Sequence, residues 1–153
     1  IHVNANKNKR ASGFETYLLR PGKTDAAIAV AEMENAVIKL EKNVDQYNKL
    51  SAEQLILATM AQSSFMQQSE TLADLTQSEF DKKLVGQNRG VKQAGFIVLI
   101  GASMPNVLIE LGFISNKNDA RRLKQSAYRQ KAAQGIFDAL MKYKTRHEKL
   151  LSP

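Results

Sequence analysis

The pattern of hydrophobic and polar positions changes twice along the chain. Residues 1 to 20 hold two short runs of strand-forming residues, IHV and GFETYLL (13–19), around the polar, basic loop NANKNKRAS. Arg20-Pro21-Gly22-Lys23 then punctuates the chain. From residue 24 to about 84 glycine and proline vanish and the apolar period lengthens. Val30, Met33, Val37, Leu40, Val44 and Tyr47 recur at spacings of three and four, which predicts a helix of about two dozen residues, with Thr24 or Asp25 to cap its start. Ser51 can cap a second helix, whose apolar positions include Leu55, Ala58, Phe65, Leu72, Ala73, Phe80 and Leu84. The two together read as a helical hairpin inserted into a different fold.

After residue 84 strand and helix patterns alternate again. Gly86 to Gly95 reads as a polar loop, and AGFIVLIG and NVLIELGF read as two strands covered on both faces. Ser115 or Asn116 can cap the helix NKNDARRL, with Asp119 in its first turn, where the helix dipole favours an acid. A last helix from about Ser126 to Lys144 gathers Ala132, Ile136, Ala139, Leu140 and Tyr143 on one face. Strands separated by helices predict an α/β sheet covered by helices. Residues 96–114 approach the length of a membrane span, but Gly101, Ser103, Pro105, Asn106 and Glu110 interrupt them, so no transmembrane segment is expected.

Composition narrows the picture. The 153 residues suit one domain with a real core, and the net charge of +7 suggests an anionic partner. Nucleic acid is not expected, because the basic residues are spread along the chain without a nucleic-acid motif. The absence of cysteine excludes a disulfide scaffold and thiolate metal sites. Of the two histidines, His147 lies in the charged tail TRHEKL, whereas His2 sits between apolar residues at a strand end. Glu110 falls inside VLIELGF, where burial is costly; such a carboxylate needs a partner cation, a metal or a role as a base.

These residues carry a resemblance. IHVNA followed by GFETYLL, then NRGVKQAGFIVLIGASMPNVLIELGFISN, resembles the catalytic domain of the zinc-dependent N-acetylmuramoyl-L-alanine amidases of bacterial cell walls, over roughly residues 1–20 and 86–140. The resemblance implies a twisted, mostly parallel α/β sheet flanked by helices. It also implies hydrolysis of the amide between N-acetylmuramic acid and L-alanine in peptidoglycan, with Zn²⁺ as cofactor, His2 as a metal ligand and Glu110 as the catalytic residue. The family's other two ligands, a histidine and a glutamate, precede its counterpart of His2. The expectation is therefore that residues 1–153 are the later part of a single, N-terminally incomplete catalytic domain. Glu15 lies in a different block from the family's glutamate ligand.

Cell-division members of the family carry a helical insertion at this place, which the resemblance puts at residues 24–84 as a regulatory element. There an insertion helix covers the site, and an activator protein displaces it. Glu34 is the expected autoinhibitory plug on the zinc, with Glu32 second, and the stretch holding Met60, Phe65 and Met66 is the expected activator-docking element. Asn4, Lys7, Arg10 and Arg89, with Lys9 and Lys92 beside them, are expected to meet the anionic wall. The resemblance implies an exported protein of the periplasm or cell envelope. The rival reading is a non-catalytic, degenerate amidase domain that binds wall or division partners.

Overall fold

The computed structural model describes residues 1–20, 24–36 and 64–152. The expected helical positions between 37 and 63, including Ser51, Leu55, Ala58 and Met60, lie outside the described residues. Four strands form one sheet: β1 (His2–Asn4), β2 (Phe14–Leu19), β3 (Asn88–Ala94) and β4 (Leu108–Phe113), in the order β1-β4-β2-β3. β1 runs parallel to β4 and β2 parallel to β3, while β2 and β4 are antiparallel. Among the described residues, four helices accompany them: α1 (Asp25–Ala36), α2 (Met66–Lys83), α3 (Lys117–Lys124) and α4 (Ser126–Leu151). The fold is α/β with a mixed, mostly parallel sheet.

Side-chain alternation along β2 divides the core into two layers. On one face Tyr17 joins Phe96 and Leu108 beneath Ala27, Val30 and Ala31 of α1. On the other, Phe14 and Ile109 pack with Phe80 of α2 and with Tyr128 and Ala132 of α4. Phe14 and Phe80 meet edge to face, with ring centres 5.7 Å apart. Gly135 lets α4 approach α2 closely, since a Cβ there would stand 2.9 Å from the Phe80 ring.

The caps follow the expected chemistry. Thr24 Oγ1 accepts from the Ala27 N–H at the start of α1. Asn116, the second of the two expected caps, accepts from the N–H groups of Asn118 and Asp119.

Two expectations need correction. The stretch from Gly86 to Gly95 is not a loop, because Asn88–Ala94 forms β3 along β2. Its polar residues are tolerated on an edge strand because their side chains are paired: Asn88 with Gln77 and Asp81, Arg89 and Lys92 with Glu15. Conversely, AGFIVLIG is not a strand, and Ile97–Leu99 makes a single 3₁₀ turn. Asn35 of α1 grips this segment at both ends, donating to the Gly95 carbonyl and accepting from the Ile97 N–H. Those backbone groups are thereby withdrawn from any sheet ladder. The last helix also continues past Lys144 to Leu151.

Candidate metal centre and the charged network beside it

The sheet register assembles the site. His2 of β1 pairs with Glu110 of β4, and Glu110 pairs in turn with Glu15 of β2. The three form a row across neighbouring strands on the face that α1 covers. α1 lays Glu34 over the end of this row, with its carboxylate 2.6 Å from His2 Nδ1. One donor atom from each of His2, Glu34 and Glu110 lies within 4.8 Å of the others.

Glu110 is fully buried, and neither of its carboxylate oxygens has a hydrogen-bond partner. Burial, and then the charges of Glu34 and Glu15, push its carboxyl up to about 8. Two facing carboxylates and an imidazole, with a pair of oxygens left unfilled, suit a divalent cation. A nitrogen–oxygen donor set of this kind fits zinc.

Glu15 is equally buried but fully satisfied. It accepts from Asn4 Nδ2, Tyr17 Oη, Arg89 Nε and Lys92 Nζ. Burial alone would raise its carboxyl; the bonds from Lys92, Arg89 and Tyr17 outweigh that and hold it below the usual carboxylate range. Tyr17 is pushed up in turn by burial and by the Glu15 charge. The Arg89 guanidinium also stacks over Phe113, 5.0 Å from the ring centre.

The expected site residues therefore separate. His2, Glu110 and Glu34 come together, while Glu32 is exposed on the same helix. Lys7, Lys9 and Arg10 are exposed on the loop after β1. Arg89 and Lys92 line a pocket beside the row. Asn4, expected to meet the wall, is fully buried, and its Nδ2 donates to Glu15, so it positions that carboxylate. The Glu15 network was not foreseen, although a charge inside the apolar run GFETYLL is the same signal that marked Glu110. A further buried acid, Asp119, accepts from the Gly13 and Phe113 N–H groups and from Arg122, tying the loop before β2 to the end of β4.

A family model described as N-acetylmuramoyl-L-alanine amidase matches residues 1–142. The chain belongs to this amidase family. Among relatives of this amidase domain, AmiA of Escherichia coli (strain K12) is 29% identical over 147 residues, covering 94% of the chain and 50% of AmiA. LytC of Bacillus subtilis (strain 168), also named an N-acetylmuramoyl-L-alanine amidase, is 44% identical over 75 residues, covering 49% of the chain and 15% of LytC. The domain thus spans half the length of AmiA or less of the relatives named here. The catalytic domain of CwlV from Bacillus (Paenibacillus) polymyxa var. colistinus superposes with a TM-score of 0.58 at 21% identity, over 93% of this chain and 54% of that one. CwlD of Clostridioides difficile, solved in complex with the GerS lipoprotein, gives the same score at 22% identity, over 94% of this chain and 51% of that one. These likenesses show that the amidase domain keeps the family fold.

Proposed function

We propose that this amidase domain takes part in zinc-dependent hydrolysis of the amide between N-acetylmuramic acid and L-alanine in peptidoglycan, and that α1 holds the site closed. The observation that carries the reading is Glu110: a fully buried carboxylate with two unpartnered oxygens, facing His2 and Glu34 within 4.8 Å. Among the described residues His2 and Glu34 would hold the metal, which when bound polarises the scissile carbonyl and acidifies water.

The chain's own residues supply the rest. Glu110, opposite His2 in register, is placed to take a proton from the attacking water and hand it to the leaving amine at one of its free oxygens. The apolar layer of Tyr17, Phe96 and Leu108 limits bulk water around it. Glu34, 2.6 Å from His2 Nδ1, would take a place at the metal that substrate needs, and the Asn35 contacts to Gly95 and Ile97 hold α1 in that pose.

Exposed Lys7, Lys9 and Arg10 give the rim a positive charge suited to an anionic polymer. A wall substrate places the protein in the cell envelope, and the cell-wall names of its relatives support that. The closed helix calls for an activator protein. The CwlD–GerS complex supports a protein partner for this fold; in this reading residues 24–84 would be the regulatory element and cell separation the role it serves.

Release of soluble fragments from purified peptidoglycan by the full-length protein tests the reading. Glu34→Ala should raise basal hydrolysis without any activator, and Glu110→Gln should lower it by roughly 10²–10⁴-fold. Basal hydrolysis unchanged in both Glu32→Ala and Glu34→Ala removes the closed-helix reading. Hydrolysis surviving Glu110→Gln removes the assigned base.

A further inference from the structure

α4 engages the rest of the fold along one line only. Tyr128, Ala132, Gly135 and Ala139 are its buried residues; Tyr128 and Ala132 pack against the sheet, and Gly135 meets Phe80 of α2. Phe137 and Met141, two positions on from Gly135 and Ala139, stand about 200° around the helix from that line. With Leu140 they form a contiguous apolar patch, Phe137 57%, Leu140 47% and Met141 44% exposed. Leu151 continues the Leu140 line three turns later and is exposed as well. Isolated exposed apolar side chains are ordinary, whereas neighbours at helical spacing on one face make a surface.

The positive charge gathers on the same helix. From Ser126 to Leu151 it carries six lysines and arginines against two acids, a net +4 out of the chain's +7. Every residue from Lys144 to Leu151 is exposed, Lys144, Arg146 and Lys149 among them. The two acids are already engaged, Asp138 with Lys83 and Glu148 with Lys144. An apolar stripe continued by exposed cations suits a helix that lies in the headgroup layer of a membrane. There the lysine and arginine stems follow the apolar surface while their heads reach phosphate. A second copy of the chain on this face would set two strongly basic helices against each other. α4 is not apolar enough to cross a membrane, so it would lie on the surface rather than span it.

We propose that the outer face of α4 docks on a bilayer surface rich in anionic phospholipid, with Phe137, Leu140 and Met141 entering the headgroup layer and Arg146 and Lys149 on its phosphates. The candidate metal centre faces the other way, because α1 and the His2–Glu110 row lie across the sheet from the layer that holds α4. A molecule seated by α4 therefore turns its site away from the lipid, toward the polymer that lies above the bilayer. That this polymer is the wall rests on the amidase reading; the lipid contact does not.

Flotation of the full-length protein with vesicles tests this, comparing neutral phosphatidylcholine with the same lipid containing about 30% phosphatidylglycerol. The anionic vesicles should bind at least tenfold more tightly. Raising the salt from about 0.1 M to about 1 M shortens the reach of charge from about 10 Å to about 3 Å, and should remove most of that advantage. Phe137→Ser with Met141→Ser, and separately Arg146→Gln with Lys149→Gln, should each lose at least tenfold in binding. All four side chains are exposed, so both double variants should keep the native melting temperature. Equal binding to neutral and anionic vesicles, or undiminished binding by either double variant, overturns the proposal. So does a native dimer in sedimentation that Phe137→Ser with Met141→Ser takes apart, since a second copy would then cover the face. Wall hydrolysis without vesicle binding overturns the lipid contact alone. Vesicle binding without wall hydrolysis counts against the catalytic reading alone.

Discussion

At the scale of single residues, the charges that matter stand where the sequence pattern makes them expensive. Glu110 and His2 were legible because each interrupts an apolar run, and a residue that breaks its local pattern needs a reason. Glu15 breaks GFETYLL in the same way, yet its partners Arg89 and Lys92 lie more than seventy residues on, and spacing along the chain carries no trace of that pairing. Gly13 was equally silent. Its φ of +103° is one that side chains rarely adopt, and a Cβ there would stand 2.1 Å from the Gln87 carbonyl oxygen. Gly13→Ala should therefore cost at least about 2 kcal/mol in urea unfolding, through strain together with a backbone clash. A change within about 0.5 kcal/mol, the range of ordinary surface substitutions, would show that the β2–β3 entry relaxes freely.

At the scale of elements, α2 and α4 are joined by charge as well as by Phe80. Glu79 is 2% exposed and accepts from Lys82, Lys83 and Lys142, and Lys83 also pairs with Asp138. The hydrogen bonds from Lys142, Lys82 and Lys83 draw the Glu79 carboxyl down to about 2. Since this lies below the ordinary value of 4.5, the unfolded chain binds the proton more readily. The contribution is present in full above about pH 4.5 and is lost as the pH falls toward 2. Melting temperatures across that window should fall more steeply for the native protein than for Glu79→Gln. Parallel curves would show that the cluster is too solvated to count.

Element assignments failed where tertiary partners overrode local pattern. β3 is polar but lies at an edge with its side chains paired, and residues 95–97 are apolar but held by Asn35. β1, β2, β4 and the capped helices were readable because propensity, capping and burial agree there.

At the scale of the whole molecule, the candidate centre draws on residues 2, 34 and 110, from β1, α1 and β4. No two of them are near in sequence, so a cation bound here should stabilise the fold rather than a segment of it. Zinc at about 100 times its dissociation constant should add ~2.7 kcal/mol to the stability of chelator-treated protein, and His2→Ala should abolish most of that gain. A zinc response that persists in His2→Ala would place the metal elsewhere.

The row His2–Glu110–Glu15 has a consequence for folding. Because side chains alternate along a strand, a slip of β4 by one residue would send Glu110 to the opposite face, among Phe14, Phe80 and Ile109. His2 on β1 and Glu34 on α1 would then lack the carboxylate that faces them. On the proposed reading, recovery of wall hydrolysis during refolding would time the moment at which the sheet commits to its native pairing.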